Sequence, residues 1–304
     1  MSLLKRIAIV GAMVVGLAST ATADKVKVGF VYVGPTGDHG WTYRHDIGRQ
    51  QVEEAYGDKV ETVYIESVGE GPDSERVMTQ MAMNGADIIF ATSFGYMDSV
   101  LNVAKKFPNV KFEHSTGYKQ SENAANYGLK LYQARHVQGV IAGMMTKTDK
   151  ICYIASFPIP ERKHNPNVEI SIAWVYTWYN PGKEKDAANA LIQQGCDVVA
   201  QHTDSPAPLQ AAEEAGVVGF GQASDQMKFA PKAQLTASID NWGPYYIDKV
   251  GQVIDGTWTT GSYFGHMNEG AVQMAPFANM PPEVEAEAQR VKDAITDGEL
   301  FGFT

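Results

Sequence analysis

Residues 25–41 read KVKVGFVYVGPTGDHGW, and this stretch decides the fold. It begins with a short run rich in valine, which is typical of a buried strand. The run stops at a turn containing glycine and proline, 34–37, and a segment of helical composition follows at about 42–56. A strand, a glycine-rich turn and a helix in this order open a βαβ unit, so the sequence predicts a parallel sheet covered by helices.

The loop that follows this strand is the first candidate binding site. Ligands of open α/β sheets bind beyond the carboxyl ends of the strands. The loop 34–41 lies at such an end and carries an acid, an imidazole and a large flat ring, namely Asp38, His39 and Trp41. On the loop alone, Trp41 is equally compatible with stacking on a ligand and with packing against the first helix.

The same pattern repeats along the chain in two similar halves. Further strands are predicted at about 60–65, 87–91, 110–113, 151–155, 168–176, 197–201, 217–220 and 235–239. The tail is predicted as a polar loop, a short strand at 272–274 and a helix at 282–295. We therefore predict an α/β protein of two doubly wound, Rossmann-like lobes joined by a hinge. The N-terminal lobe takes 24–125 and about 240–262, and the C-terminal lobe takes 126–239 and about 263–304.

The first 23 residues have the composition of a secretory signal peptide. Lys5 and Arg6 precede an apolar core at 7–17, which is too short to span a bilayer, and cleavage is expected after Ala23. Cleavage lowers the formal net charge from −10 to −12, because two basic residues leave with the peptide. An acidic, exported chain without a basic patch predicts a periplasmic protein that does not bind nucleic acid.

The two cysteines leave two interpretations open. Cys152 and Cys196 both lie at the starts of predicted strands in the second half. An exported protein can hold a disulfide, but the spacing alone does not distinguish a disulfide from two buried free thiols.

Motifs of catalysis are absent from the sequence. It contains no H-E-x-x-H spacing, no cluster of cysteine and histidine that suggests zinc, and no G-x-S-x-G elbow. A phosphate-binding loop of the form G-x-x-x-x-G-K-[ST] is also lacking. The sequence therefore predicts a protein that is not an enzyme, with no catalytic residues, no cofactor and no metal, and we expect it to be a monomer.

Five segments resemble the basic membrane protein family of ABC-transporter substrate-binding proteins, the purine-nucleoside-receptor group with the type I periplasmic-binding fold. The resemblance covers nearly all of the mature chain. It is carried by GDHGWTY (37–43), NGADIIFATSFGYMD (84–98), GVIAGMMTKTDKICYIASFPIPE (139–161), WYNPGKEKDAANALIQQGCDVVAQHTDSPAP (178–208) and NWGPYY (241–246). It implies a clam-shell receptor that delivers a purine base or nucleoside to a membrane permease, with the ATPase of the transporter on a separate chain.

The resemblance also implies a set of ligand-binding residues. The family holds a purine between two aromatic rings, one from each lobe, and the matching positions are Trp41 and Trp178. Their alternative role is packing in the core. Asp204, Asp225 and Asn241 lie on matching loops, where they could bond to the base or cap their loops. Other residues expected to line the cleft, by analogy or from the loop itself, are Ser93, Phe94, Gly95, Asp38 and Asp240.

Two departures from the family pattern bear on the ligand. Nucleoside-binding relatives carry a lysine where Asp240 stands and an acid where Ala223 stands, and both resemble ligands of ribose hydroxyls. Their loss predicts a receptor for the bare base, with adenine ahead of hypoxanthine and guanine. The alternatives are a receptor for a nucleoside or another flat heterocycle and, in a different class, a periplasmic enzyme that processes nucleosides.

The second departure is a short connection in the second lobe. In the family a segment with a helix follows FPIPE, whereas here Glu161 leads almost directly into the next strand. Only residues 157–167 are left for a parallel crossover, which usually needs a dozen residues or more. The first crossover helix of the second lobe is therefore expected to be missing.

Overall fold

The computed structural model describes residues 25–155 and 168–300. Its strands are β1 (Val26–Val31), β2 (Val60–Ile65), β3 (Ile88–Ala91), β4 (Lys111–Ser115), β5 (Ala124–Leu129), β6 (Lys150–Ala155), β7 (Glu169–Trp174), β8 (Val198–His202), β9 (Val218–Gly221), β10 (Gln234–Asp240), β11 (Ser262–Gly265) and β12 (Val272–Met274). Its α-helices are α1 (Gly40–Tyr56), α2 (Pro72–Met83), α3 (Met97–Lys106), α4 (Tyr132–Met145), α5 (Pro181–Gln193), α6 (Ala207–Ala215), α7 (Gly243–Ile254) and α8 (Pro282–Thr296).

The strands form two six-stranded sheets, and each sheet is the centre of one lobe. Lobe 1 has the strand order β11-β5-β4-β3-β1-β2 and carries α1, α2, α3 and α7. Lobe 2 has the order β12-β10-β9-β8-β6-β7 and carries α4, α5, α6 and α8. Neighbouring strands are parallel except β12, which runs antiparallel to β10. The predicted α/β class with two doubly wound lobes is confirmed.

Strand β1 lies between β2 and β3 at the centre of lobe 1, so it is buried on both faces, as central parallel strands are. Val28 and Phe30 pack on the side of α7, and Val31 packs on the side of α2 and α3. Phe30 is fully buried, which contributes about 1.5–3 kcal/mol relative to an exposed ring. Strand β1 therefore contributes core side chains to both faces of the sheet of lobe 1.

The chain passes between the lobes three times within the described residues. It leaves lobe 1 between β5 and α4, returns between β10 and α7, and leaves again between β11 and β12. The sequence-based boundary at 125/126 falls inside β5, which belongs to the first sheet.

The tail segment that was predicted to be a polar loop contains a strand, β11. It pairs in parallel with β5 at the edge of lobe 1, from Ser262 opposite Asn126 to Gly265 opposite Leu129. The strand is short, polar at one end and half-exposed, so its sequence lacks the continuous apolar run of a central strand.

Two further predictions fall outside the described residues: the signal peptide at 1–23 and the missing crossover helix after Glu161. The strands on either side of that crossover, β6 and β7, are parallel neighbours in lobe 2. Cys152 and Cys196 are free thiols buried in one apolar cluster of lobe 2. Across 25–155 and 168–300, no helix is long and apolar enough to cross a membrane.

Candidate functional site

The carboxyl ends of the strands of the two lobes meet in a cleft, and the lobes touch across it. The backbone N–H of Gly40, which follows β1, donates to Ser224 Oγ, which follows β9, over 2.9 Å. The N–H of Trp41 donates to Asp204 Oδ1, which follows β8, over 3.3 Å. At the exposed rim, Asp38 forms an ion pair with Lys228. The structure is therefore a closed state in which loops of both lobes bond to each other.

Trp41 lies in the first turn of α1 and is fixed within lobe 1. Its indole Nε1 donates to the carbonyl oxygen of Thr92, at the end of β3, over 2.7 Å. Its ring meets Trp242 edge to face at 5.2 Å between centroids, and it meets His45 in the same way at 4.6 Å. The packing role is confirmed, because the partly buried ring packs on the core of lobe 1. Stacking of this ring on a ligand stays a prediction.

Trp178 reaches across the cleft from the loop between β7 and α5. Its Nε1 donates to Glu70 Oε1 of lobe 1 over 3.3 Å. The same oxygen accepts a bond of 2.6 Å from the hydroxyl of Ser93. Gly95 faces this carboxyl group as well, since a Cβ at Gly95 would lie 2.1 Å from the Glu70 carboxyl carbon. The structure thus brings Trp178, Ser93 and Gly95 together around Glu70.

Asp240, the last residue of β10, carries a buried carboxyl group whose two oxygens have no hydrogen-bond partner in the described part of the chain. Arg44 of α1 donates from Nε to the backbone oxygen of Asp240 over 2.6 Å, which places the residue at the contact between the lobes. Burial raises the pKa of Asp240 to about 7, against the opposing effect of the nearby charges on Arg44 and Arg135. A buried polar group without a partner is rare in proteins, so these oxygens are suited to bond a ligand.

Asp204 is partly buried and connects both tryptophan-bearing loops. It accepts the N–H of Trp41, and its own N–H donates to the carbonyl oxygen of Trp178 over 3.2 Å. Desolvation raises the pKa of its carboxyl group to about 8, although the bond from Trp41 favours the ionised form. The negative charges of Glu184 and Asp240 raise the pKa further.

The remaining candidates are engaged in local contacts. Asp225 is exposed, and its Oδ1 accepts bonds from the N–H of Met227 and from the side chain of Gln234. Asn241 donates from its side chain to the carbonyl oxygen of Gly270 over 3.0 Å. Phe94 is 49% exposed and contacts Tyr118, and Asp38 bonds to His39 and Lys228. A ligand role for these four residues stays a prediction.

Sequence reasoning missed Glu70, Arg44 and Ser224. Glu70 stands in the loop after β2, at the carboxyl edge of lobe 1, and this position was the available signal. Arg44 directly follows GDHGWTY, one of the segments shared with the family. Among residues 25–155 and 168–300, no group of three or more histidine, cysteine, aspartate or glutamate residues is arranged to hold a metal ion.

Two α/β lobes that close on a cleft at the carboxyl ends of their strands have the architecture of a ligand-binding protein. Residues 25–300 match the family model Bmp, described as ABC transporter substrate-binding protein PnrA-like. The chain belongs to this family. Membership places it among binding proteins rather than enzymes and confirms the resemblance read from the sequence.

Several known proteins are similar to this chain. A purine-binding protein of Brucella abortus is 50% identical over 310 residues, which cover 98% of this chain and 88% of the relative. A putative ABC transporter glucose-binding protein of Haloferax volcanii is 37% identical over 290 residues, covering 91% and 74%. The fold matches a solved ABC transporter solute-binding protein of Conexibacter woesei with a TM-score of 0.70 at 18% identity, covering 91% and 98%.

Proposed function

We propose that this protein is the periplasmic receptor of an ABC importer, which captures a purine base between its lobes and delivers it to the membrane permease. Adenine is the first choice of ligand. The observation that carries the proposal is the buried carboxyl group of Asp240 at the contact between the lobes, which has no hydrogen-bond partner among residues 25–155 and 168–300. The 50% identity to a protein named for purine binding supports the ligand class.

The aromatic residues supply the second part of the proposal. A purine presents two flat faces, and the two rings come from opposite lobes: Trp41 from the first turn of α1 and Trp178 from the loop between β7 and α5. Each stacking contact contributes about 0.5–1.5 kcal/mol beyond the burial of apolar area. In this arrangement one ring comes from lobe 1 and the other from lobe 2, so a stacked ligand favours closure.

The carboxyl group of Asp240 favours a bare base over a nucleoside. A purine base carries a ring N–H at the position where a nucleoside carries its sugar. An ionised carboxylate accepts hydrogen bonds and cannot donate them. A base can therefore donate to Asp240 from that ring nitrogen, whereas a nucleoside can reach the carboxylate only with its other donors, and its sugar would add bulk at that point.

The test is calorimetric titration of the protein after unfolding, removal of retained ligand and refolding. We expect micromolar or tighter binding of adenine and weak binding of adenosine. Glucose serves as a control, because one relative is named as a putative glucose-binding protein. Tighter binding of adenosine than of adenine would overturn the choice of a base. Heat from glucose alone, or from none of the three ligands in a protein that is folded by circular dichroism, would overturn the purine ligand.

A further inference from the structure

We propose that the closed cleft is held by a helix cap that crosses between the lobes: Ser224 and Asp204 of lobe 2 cap the amino end of α1 in lobe 1. In this role they are positioning residues, which fix Trp41 and stabilise closure without reading the base. The inference rests on the proposed function only for the identity of the ligand, because the cap itself joins two parts of the protein.

The amino end of α1 has no side-chain cap from its own lobe. A helix leaves its first backbone N–H groups without partners inside the helix. The N-cap residue is His39, and within the described chain its side chain makes no capping bond; its Nδ1 lies 2.8 Å from Asp38 Oδ1 instead. The first turn of α1 also contains no acidic residue. When the lobes separate, this helix end is left to solvent.

Lobe 2 supplies the missing partners. The N–H of Gly40 donates to Ser224 Oγ, and the N–H of Trp41 donates to Asp204 Oδ1. Serine and aspartate are among the residues preferred at helix caps, because their side-chain oxygens accept bonds from the first backbone N–H groups of a helix. Both bonds exist only while the lobes are together, so they stabilise the closed state relative to the open one.

Gly40 permits this close approach. Its φ is +80°, a conformation that glycine adopts readily and other residues rarely adopt. A Cβ at this position would lie 2.4 Å from the backbone oxygen of Asp204. A side chain at position 40 would therefore hold the lobes apart or distort the first turn of α1.

The cap connects closure to both stacking residues. Asp204 accepts the N–H of Trp41 and donates its own N–H to Trp178. When the cap forms, the loops that carry the two rings are therefore held together through one residue. We expect Asp204 and Ser224 to act on affinity mainly through the rate at which the cleft reopens and the ligand leaves.

A second contact between the lobes provides a matched control. The ion pair of Asp38 and Lys228 crosses the same rim, but these side chains are 61% and 54% exposed. Exposed ion pairs contribute little to stability, because water and salt screen them. Lys228→Ala should therefore leave closure nearly unchanged.

Binding kinetics provide the first arm of the test. Stopped-flow fluorescence measures association and dissociation of adenine for the wild type, Ser224→Ala, Asp204→Asn, Gly40→Ala and Lys228→Ala. We expect dissociation to be about fivefold faster in Ser224→Ala and Asp204→Asn, the factor of one typical helix cap, and faster still in Gly40→Ala. The order of affinities for adenine, hypoxanthine and guanine should not change. A new order in Asp204→Asn, or wild-type dissociation in both Ser224→Ala and Gly40→Ala, would overturn the cap.

Hydrogen exchange of the Gly40 and Trp41 amides, followed by NMR both without ligand and with saturating adenine, detects the cap directly. Faster exchange at Gly40 in Ser224→Ala and at Trp41 in Asp204→Asn, with no change in Lys228→Ala, supports the cap. This result would stand even if the wild type bound no purine, which would count against the proposed function alone. Unchanged exchange in both variants overturns the cap even if adenine binds tightly.

Discussion

The backbone N–H of Asp204 donates to the carbonyl oxygen of Trp178 over 3.2 Å, while the carboxylate of the same residue accepts the N–H of Trp41. One residue of lobe 2 therefore connects the backbones of the two tryptophans whose rings we predict to be the walls of the ligand site. Because one of these bonds lies within lobe 2 and the other crosses to lobe 1, the distance between the two loops is set when the lobes close.

Removing either ring should weaken purine binding. We expect Trp41→Ala and Trp178→Ala each to raise the Kd for adenine at least tenfold (~1.4 kcal/mol), because each removes one stacked face. Calorimetric titration measures the loss, and circular dichroism checks that both variants stay folded. Tyr118→Ala is the control, since Tyr118 is an aromatic residue that is 70% exposed. Unchanged affinity in both tryptophan variants would exclude the stacking arrangement.

Binding of the base should strengthen as the pH rises. Burial raises the pKa of Asp240 to about 7, so its carboxyl group is largely protonated below that pH in the free protein. A ligand N–H bonds best to the ionised form, so ligand binding releases the proton and is favoured when the pH exceeds the pKa. We expect tighter binding of adenine at about pH 8 than at about pH 6, measured by titration calorimetry.

The Asp240→Asn variant should bind adenine more weakly and lose most of this pH dependence. Asp204→Asn is the matched control, because the pKa of Asp204 is also raised, to about 8. If the pH dependence persists in Asp240→Asn and disappears in Asp204→Asn, Asp204 is the titrating group that the ligand senses.

Glu113 should make the folded protein less stable at higher pH. Its buried carboxyl group accepts bonds from Tyr245 Oη at 2.7 Å and Trp258 Nε1 at 2.8 Å, yet burial raises its pKa from 4.5 to about 7. Between these two values the folded protein keeps a proton that the unfolded chain has released, so stability falls as the pH rises. Urea unfolding at about pH 5 and about pH 8 should show a smaller loss in Glu113→Gln than in the wild type. An equal loss would assign the pH dependence to other groups.

Two helical glycines should respond in opposite directions to alanine. At Gly48 of α1 a Cβ would lie 2.8 Å from the Tyr246 ring and 3.2 Å from Trp242 Cβ, so Gly48→Ala should destabilise by about 1–3 kcal/mol. At Gly139 of α4 a Cβ would meet no described atom within 4 Å. Gly139→Ala should therefore stabilise by up to about 1 kcal/mol through helix propensity. Thermal denaturation of both variants checks the contrast, and stabilisation by Gly48→Ala would contradict the close packing of α1 on α7.

The fold could be predicted because its central strands are short apolar runs that are recognisable in the sequence. The buried run of β1 and the glycine turn before Trp41 allow few other structures, and the segments shared with the family fixed the rest. Strand β11 was missed because it lies at the edge of the sheet. Its backbone pairing with β5 defines it, and it has no apolar run that marks it in the sequence. Its partner, β5, lies more than a hundred residues earlier in the chain.

The site was harder to predict. The sequence shows which residues lie on the loops at the carboxyl ends of the strands, but it does not show which hydrogen bonds their side chains make. Asp204 and Asp225 occupy comparable loops of lobe 2, yet the first bonds to lobe 1 and the second bonds only to residues of lobe 2 within the described chain. Glu70 was missed because an acid in a glycine-rich loop is common on surfaces. Its contacts with Ser93 and Trp178 depend on how the two lobes meet, which no local pattern encodes.

The three crossings between the lobes limit the order in which the lobes can fold during synthesis. Helix α7 and strand β11 belong to lobe 1 but come after most of lobe 2 in the chain. A nascent chain that ends before Gly243 lacks Tyr246, which covers Phe30 and Phe90 in the finished core. Lobe 1 therefore cannot complete its core during synthesis until most of the chain has emerged from the ribosome, so the two lobes cannot fold one after the other as independent units.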